Sequence, residues 1–426
     1  MENSTLITIA SIEKGKEFLI NVDENFEPQP ERCIYTVPEN LRKIKEEAYT
    51  PKVISIGPLH YGKRELVDME KEKIRYKREF SKRISPETWQ EFINFIEKNE
   101  KKIRNCYENM PKIEKLDFVT MILYDAIFII ELLLTNYETA SDLLLDKKTF
   151  DFVIYVDLSL LENQLPYFVL NGLYELVPKP NLDINTQSLF SLSCTYLFRG
   201  HLKEIPNEVE VKHFVDLRRY VVTQKHPEPL ESELRGIDLP CATKLQESGV
   251  QFKVIEGQDL LDIKFELKKP CIPLLKNHYE LQIPRIEVYD ETECLLRNVM
   301  ALEQYHYTSK TIVCSYIDLL DNLINTEEDV NLLVDAKIIV NHVGDTARIV
   351  KMFNELCLQI HISRPICYNK IVKNLKEHYE NPCNHAMATL KRVYFSNYWR
   401  GTGTIAAIVL LFLTLIQAVC SILQVV

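Results

Sequence analysis

Apolar positions recur at three- and four-residue spacing over most of this chain, so the pattern predicts a helical protein. From Glu65 to Asn109 the repeat runs through Phe92, Phe95 and Ile96 to Ile103 and Tyr107, and Ser85-Pro86-Glu87 predicts a helix start with proline in the first turn. Residues 115 to 147 predict a long apolar helix; because it carries Asp117, Asp125 and Glu131, it reads as a core helix and not a membrane span. VKHFVDLRRYVV predicts one more helix, and helices resume at TECLLRNVMALEQ and continue to about Tyr394. The period shortens in two places. PKVISIGPLHYG predicts a short strand through Val53, Ile54 and Ile56, ended by Gly-Pro. VQFKVIE, LLDIKFEL and LQIPRIEVYD predict a small antiparallel sheet between residues 249 and 290. Residues 177 to 210 and 223 to 240 read as loops, and residues 1 to 30 as a polar, aperiodic, flexible segment. The expected fold class is mainly α: a helical globular domain over residues 31 to 395 with a small antiparallel β-sheet, followed by one C-terminal transmembrane helix over residues 402 to 426.

That last segment, TGTIAAIVLLFLTLIQAVCSILQVV, holds no charged residue. At about 1.5 Å per residue, about 20 residues cross a hydrocarbon core, so it is long enough to span. Lys391, Arg392 and Arg400 precede it, with Tyr394, Tyr398 and Trp399 placed as interfacial anchors. Basic residues on the N-terminal side predict a cytosolic body held by a tail anchor, in the plasma membrane or endoplasmic reticulum.

Charge and cysteine content narrow the partners and compartment. A net charge of −10 argues against nucleic acid as a partner, since phosphate neutralisation needs a basic surface. The basic run Lys71, Lys73, Arg75, Lys77 and Arg78 alternates with Glu70, Glu72 and Glu79 and reads as a solvated helix face. Eleven cysteines with no CxxC pair, behind an N-terminus lacking a signal-peptide core, predict reduced thiols in a cytosolic body.

Three constellations could carry chemistry. Gly57 to Arg64 fits the G-x-x-x-x-G-K spacing of a phosphate loop. Arg64 stands where a metal-binding hydroxyl is needed, however, and Pro58 removes a backbone N–H from the anion nest. A tight turn with a packed His60 explains the residues better, even though FVIYVD ends at Asp157 like a magnesium-binding strand. Cys357, His361, Cys367, Cys383 and His385 could hold zinc, but their spacing is irregular. The third is VDLSLLENQLPYFVLNGLY, which sets Asp157, Glu162, Asn163 and Gln164 among apolar residues before Pro166. Asp157 is expected to cap a short helix ending near Asn163-Gln164, with a second helix starting at Pro166. Glu162 and Asn163 would then serve backbone groups freed at the break, because buried polar groups must be paired. The competing reading is an acid–base pair of Asp157 and Glu162. No catalytic, cofactor-binding or metal residue is assigned.

DLSLLENQLPYFVL closely resembles "DLLLLENQIPFFVL", the signature of the plant DUF247 (UPF0481) family. IYTVPENLRK, PKVISIGPLHYG, MEKEKIRY, ATKLQESGVQFK, RNVMALEQ and LLDNLINTEEDVNLLVDAKIIVNHVG resemble further family motifs in the same order, as does IAAIVLLFLTLIQAVCSIL at the end. The family's second histidine in "GPYHHG" is Tyr61 here. The resemblance implies a mostly helical body with a C-terminal membrane anchor and carries over no activity or cofactor. Some grass members are linked to self-incompatibility and others to defence. The function expected is that of a membrane-anchored, non-enzymatic interaction or signalling protein with protein partners. The alternative is a membrane-tethered hydrolase or nucleotide-using enzyme with a site between residues 55–64 and 157–166.

Overall fold

The computed structural model describes residues 6–13, 16–23, 30–138, 148–178, 187–200, 202, 204–224, 238–255, 259–268, 278–362, 367–394 and 398–425. The chain forms two units, residues 1–37 with 50–217, and residues 38–49 with 218–426. The second unit thus takes the one-turn helix α1, Glu39–Arg42.

The first unit is built around one helix. Strands β1, Leu6–Glu13, and β2, Lys16–Asp23, pair as an antiparallel hairpin inside the segment read as aperiodic. Helices α2, Val67–Phe80, and α3, Pro86–Asn105, follow. As predicted, Ser85 caps α3, its hydroxyl accepting from Thr88 N at 3.2 Å. The buried stripe of α3, Phe92, Ile96 and Ile103, contributes about 1.5–3 kcal/mol per side chain. Helix α4, Lys115–Glu138, packs against α2 and α3, and also against α6, Tyr167–Glu175, and α7, Leu189–Phe198. Of its most apolar 18 residues 89% are buried, which makes it the core helix that its acids predicted. The expected continuation over 139–147 lies outside the described residues.

Other expectations about secondary structure fail in this unit. FVIYVD is not a strand but the end of helix α5, Lys148–Asp157. The region read as a loop contains α7, LFSLSCTYLF, whose Ser193 hydroxyl satisfies itself on Leu189 O at 2.7 Å. Residues 51–57 join no strand among the described residues; their amides turn to side chains instead.

The division between the units falls inside α8, Phe214–Thr223. In the second unit, α9, Ala242–Glu247, leads into the small sheet expected at 249–290. It is mixed rather than purely antiparallel. Strand β3, Val250–Ile255, pairs in parallel with β5, His278–Pro284, while β4, Lys264–Lys268, pairs antiparallel on the other side of β5. A second, unforeseen parallel pair joins β6, Ile286–Val288, to β7, Ile339–Asn341. Helices α10, Thr292–Tyr305, α11, Ile312–Leu323, α12, Glu327–Asp335, and α13, Thr346–Leu356, form the body. Buried Glu303 joins two of them, accepting from Val313 N and Cys314 N at the start of α11 while pairing with Arg219 at 2.9 Å. Asp329 completes a capping box with Thr326 and also accepts from Thr243 N of α9 at 2.8 Å. Helices α14, Asn369–Glu380, and α15, Pro382–Tyr394, precede α16, Tyr398–Val425. Within α16 the apolar run Thr402–Cys420 is 0% buried, in contrast to α4, and is a candidate membrane span.

Candidate functional site

The stretch 157–164 gathers polar side chains because the chain there has no helix or strand to satisfy it. Helix α5 stops at Asp157, nine residues turn irregularly, and α6 starts after the last of them, Pro166, whose fixed φ suits the entry. Asp157 therefore ends a helix and does not cap one. Its carboxylate, fully buried, accepts from three successive amides: Lys52 N at 2.9 Å, Val53 N at 2.7 Å and Ile54 N at 2.9 Å. Asn163 takes over one residue on, accepting from Ile56 N at 2.7 Å and donating to Ile54 O and Asp157 O, both at 3.0 Å. Segment 51–57 is thus held by side chains, where a strand would be held by a neighbouring backbone. This is why its alternation read as β structure.

Glu162 and Gln164 reach elsewhere. Glu162 Oε1 accepts from Val37 N at 2.7 Å, and its Oε2 lies 3.3 Å from His60 Nε2. Gln164 Nε2 donates to Leu158 O and Leu160 O at 2.8 and 2.7 Å, closing the irregular turn, while its Oε1 accepts from Phe214 N at 3.0 Å. The Gln164 carbonyl accepts from Tyr107 Oη at 2.9 Å. Four neighbouring polar residues thereby tie down the chain at 37, 52–56, 107 and 214, and their lone pairs and N–H groups serve backbone.

The phosphate-loop candidate lies against this corner. Gly57 sits at φ +72°, and its amide donates to Asp125 Oδ2 at 2.7 Å, so a carboxylate of the fold holds the first amide of the would-be nest. Lys63 Nζ, which a phosphate loop would present to the ligand, bonds His60 Nδ1 at 2.8 Å. That contact leaves the proton of a neutral His60 on Nε2, facing Glu162. At Gly57 a Cβ would lie 2.6 Å from Gln164 O and 2.8 Å from Tyr107 Oη. Gly57→Ala should therefore cost about 2–4 kcal/mol, combining the left-handed backbone with the clash. Gly62→Ala, at φ +79° with nothing within 4 Å, should cost only about 1–2 kcal/mol. Chemical unfolding of the two variants separates the terms.

Beneath the turn lies an ion cluster that sequence reasoning misplaced. Lys73, read as part of a solvated face, is 0% exposed. Its ammonium bonds Ser55 O and Glu70 Oε1, both at 2.6 Å, and pairs with Asp125 Oδ1 at 2.6 Å. Burial alone would lower the Lys73 pKa, but Asp125 and Glu70 hold it above the usual range. Burial pushes Asp125 up to about 6, opposed by Lys73. Burial likewise raises Asp157 to about 6, opposed by the amides of Lys52, Ile54 and Val53. One helical turn pair along, Arg83 Nε meets Glu131 at 2.9 Å, so two acids of α4 have basic partners on or just after α2. The signal was available: two acids in an apolar helix require cations, and α2 is the nearest basic segment.

The zinc candidates are not brought together. Cys383 is exposed, His385 Nε2 contacts Tyr379 O at 2.8 Å, and Cys357 lies instead with Asp318 and Asp321. Among the described residues that trio is the three-ligand group, its ligand atoms within 4.8 Å of one another. Burial raises Asp321 to about 6, and the Cys357 thiol hydrogen-bonds to it, so each already answers the other.

The comparisons agree with the motif order. The profile of DUF247, "Plant protein of unknown function", matches residues 34–413. The chain belongs to this family. It is 26% identical to "UPF0481 protein At3g47200" of Arabidopsis thaliana, over 92% of this chain and 86% of that protein. It is 20% identical to "Putative UPF0481 protein At3g02645" of the same plant, over 94% and 93%. No solved structure matches. The matched range takes in the residues just described, Gly57 and His60 of SIGPLHYG and Asp157, Glu162, Asn163 and Gln164 of DLSLLENQ.

Proposed function

We propose that this DUF247 protein is a membrane-anchored, non-enzymatic interaction protein, held by α16 with its body on the cytosolic side of the plasma membrane or endoplasmic reticulum. The observation that carries the reading is α16 itself. Its run Thr402–Cys420 is charge-free, and side chains such as Leu410, Leu411 and Phe412 are 63–65% exposed, a surface that water would not tolerate over such a length. The non-enzymatic part rests on the corner, where Asp157, Glu162, Asn163 and Gln164 serve backbone groups, an arrangement that frames a recognition body made of long-range contacts. Protein partners are the expected ligands of such a body.

The test is alkaline extraction of membranes carrying the full chain. The protein should stay with the lipid, and Leu411→Arg with Leu413→Arg should release it, since each arginine near mid-helix costs about 2.5–3.5 kcal/mol of insertion. Equal extraction of both forms would overturn the anchor.

The second reading, a tethered hydrolase or nucleotide-using enzyme, draws on one contact, His60 Nε2 to Glu162 Oε2 at 3.3 Å. Turnover that disappears in Lys63→Ala without loss of stability would favour it.

A further inference from the structure

A cavity of about 590 Å³ opens beside the start of α6, away from the ion cluster. Its wall includes Cys33, Cys106, Lys102, Pro166, Tyr167 and Lys212. Two cysteines 73 positions apart in sequence meet there. Cys33 N and Ile34 N both donate to Cys106 O, at 3.0 and 2.9 Å, and Ile34 bridges Tyr107 in parallel register. The 3.0 Å contact, with standard backbone dimensions, keeps the two Cα atoms within about 6.9 Å. Disulfides span roughly 4.4–6.8 Å between Cα atoms, so no large backbone shift is needed. The two thiols are hydrogen-bonded to each other, and the Cys106 thiol also donates to Lys102 O at 3.3 Å.

We propose that Cys33 and Cys106 form an oxidisable dithiol, a modification site at which a hydroperoxide small enough to enter the cavity closes a reversible disulfide. Cys106 is the attacking group, since the ammonium-bearing Lys102, one turn back on α3, lines the same cavity. The hydrogen bond from Cys33 holds its thiol below the usual range against the effect of burial, with Lys102 assisting, while Cys33 is driven up by the same bond and by burial. The Cys106 thiolate attacks one peroxide oxygen. The O–O bond breaks, Cys106 becomes a sulfenic acid and hydroxide leaves. Cys33 sulfur then attacks the sulfenyl sulfur, the S–O bond breaks, and a second hydroxide leaves as the S–S bond forms. The two thiol protons neutralise the two hydroxides, so two thiols and one hydrogen peroxide give one disulfide and two waters. Both cysteines are only 3% exposed, which admits a water-sized oxidant through the cavity and excludes bulky disulfides. Cys106 is the C-cap of α3, and the carbonyl end of the helix disfavours the thiolate, so the reaction is slower than that of a dedicated peroxidase.

Closure would pin residues 30–37 to the end of α3 in the same unit, beside Val37 N on Glu162 and Tyr107 Oη on Gln164. The site is independent of the membrane reading.

The experiment treats the full chain in nonionic detergent with hydrogen peroxide, blocks remaining thiols and maps peptides by mass spectrometry. The expected product joins the Cys33 and Cys106 peptides with loss of two hydrogens and reverts with dithiothreitol. It should raise Tm by about 5 °C or more, because it closes a long loop. In Cys33→Ser, dimedone should trap a sulfenic acid at Cys106; the wild-type map stands even if that variant does not fold. Recovery of both thiols unmodified while exposed Cys383 is oxidised would overturn the proposal. So would disulfides joining either cysteine to other partners.

Discussion

Asp157→Ala should abolish stable folding. The substitution strips the acceptor from three amides at once, the buried one of Ile54 and the part-buried ones of Lys52 and Val53, and each orphaned donor costs up to about 1–3 kcal/mol. A loss exceeding about 4 kcal/mol removes most of the 5–15 kcal/mol that a typical fold retains. Asp157→Asn should fall between: one oxygen can still accept from Val53 N and Ile54 N, but an amide N–H₂ then confronts Lys52 N, at about 1–3 kcal/mol. Urea unfolding of the full chain in detergent orders the three proteins. An Asp157→Ala midpoint equal to that of wild type would mean that the carboxylate is not the anchor of segment 51–57. If Asp157 were instead a catalytic carboxylate, Asp157→Asn would lose turnover with little loss of stability.

The second large effect is expected at Lys73. Lys73→Met keeps the volume but leaves Asp125, 1% exposed, with a buried charge answered only by Gly57 N among the bonds described. Breaking one side of such a pair costs about 3–5 kcal/mol. Adding Asp125→Asn should restore a large part of this, because the neutral amide oxygen still accepts from Gly57 N and no lone charge remains. A double-mutant cycle should return a coupling of at least about 2 kcal/mol. Additive losses would show that Lys73 and Asp125 do not act as a pair. Lys71→Met, on the exposed side of the same helix, should change stability by less than about 0.5 kcal/mol.

These two predictions mark where sequence reading stopped. The corner was legible from its own residues: four polar groups among leucines before a proline must serve backbone, and they do. Their clients were not legible, because Val37, Lys52 to Ile56 and Phe214 lie 50 to 125 positions away and nothing local announces them. The same blindness put Lys73 on a solvated face, since the glutamates around it satisfy the pattern and its true partner is on another helix. Valine, isoleucine and tyrosine in FVIYVD suggested a strand, yet that stretch is the end of helix α5. In α7 the serines, threonine and cysteine hid a helix that is apolar nearly all round. β6 lay inside the run read as extended, but β7, three residues long, carries no periodicity to read, so their pairing was unseen. Long periodic elements were visible: α3 with its Ser-Pro start, the acid-bearing α4, and α16. The difference between α4 and α16 follows from charge, since acids in an apolar helix need partners inside the protein, and a run without any can face lipid.

The most direct test of the account is the topology of α16. A glycosylation sequon placed on a short spacer after Val426, with the natural Asn3-Ser4-Thr5 sequon as internal counter-reporter, reports which side of the membrane each end reaches. A glycosylated C-terminal site and an unmodified Asn3 are expected, with a cytosolic body and reduced thiols. Modification of Asn3 with the appended site untouched would contradict it, placing the body in the lumen or outside the cell.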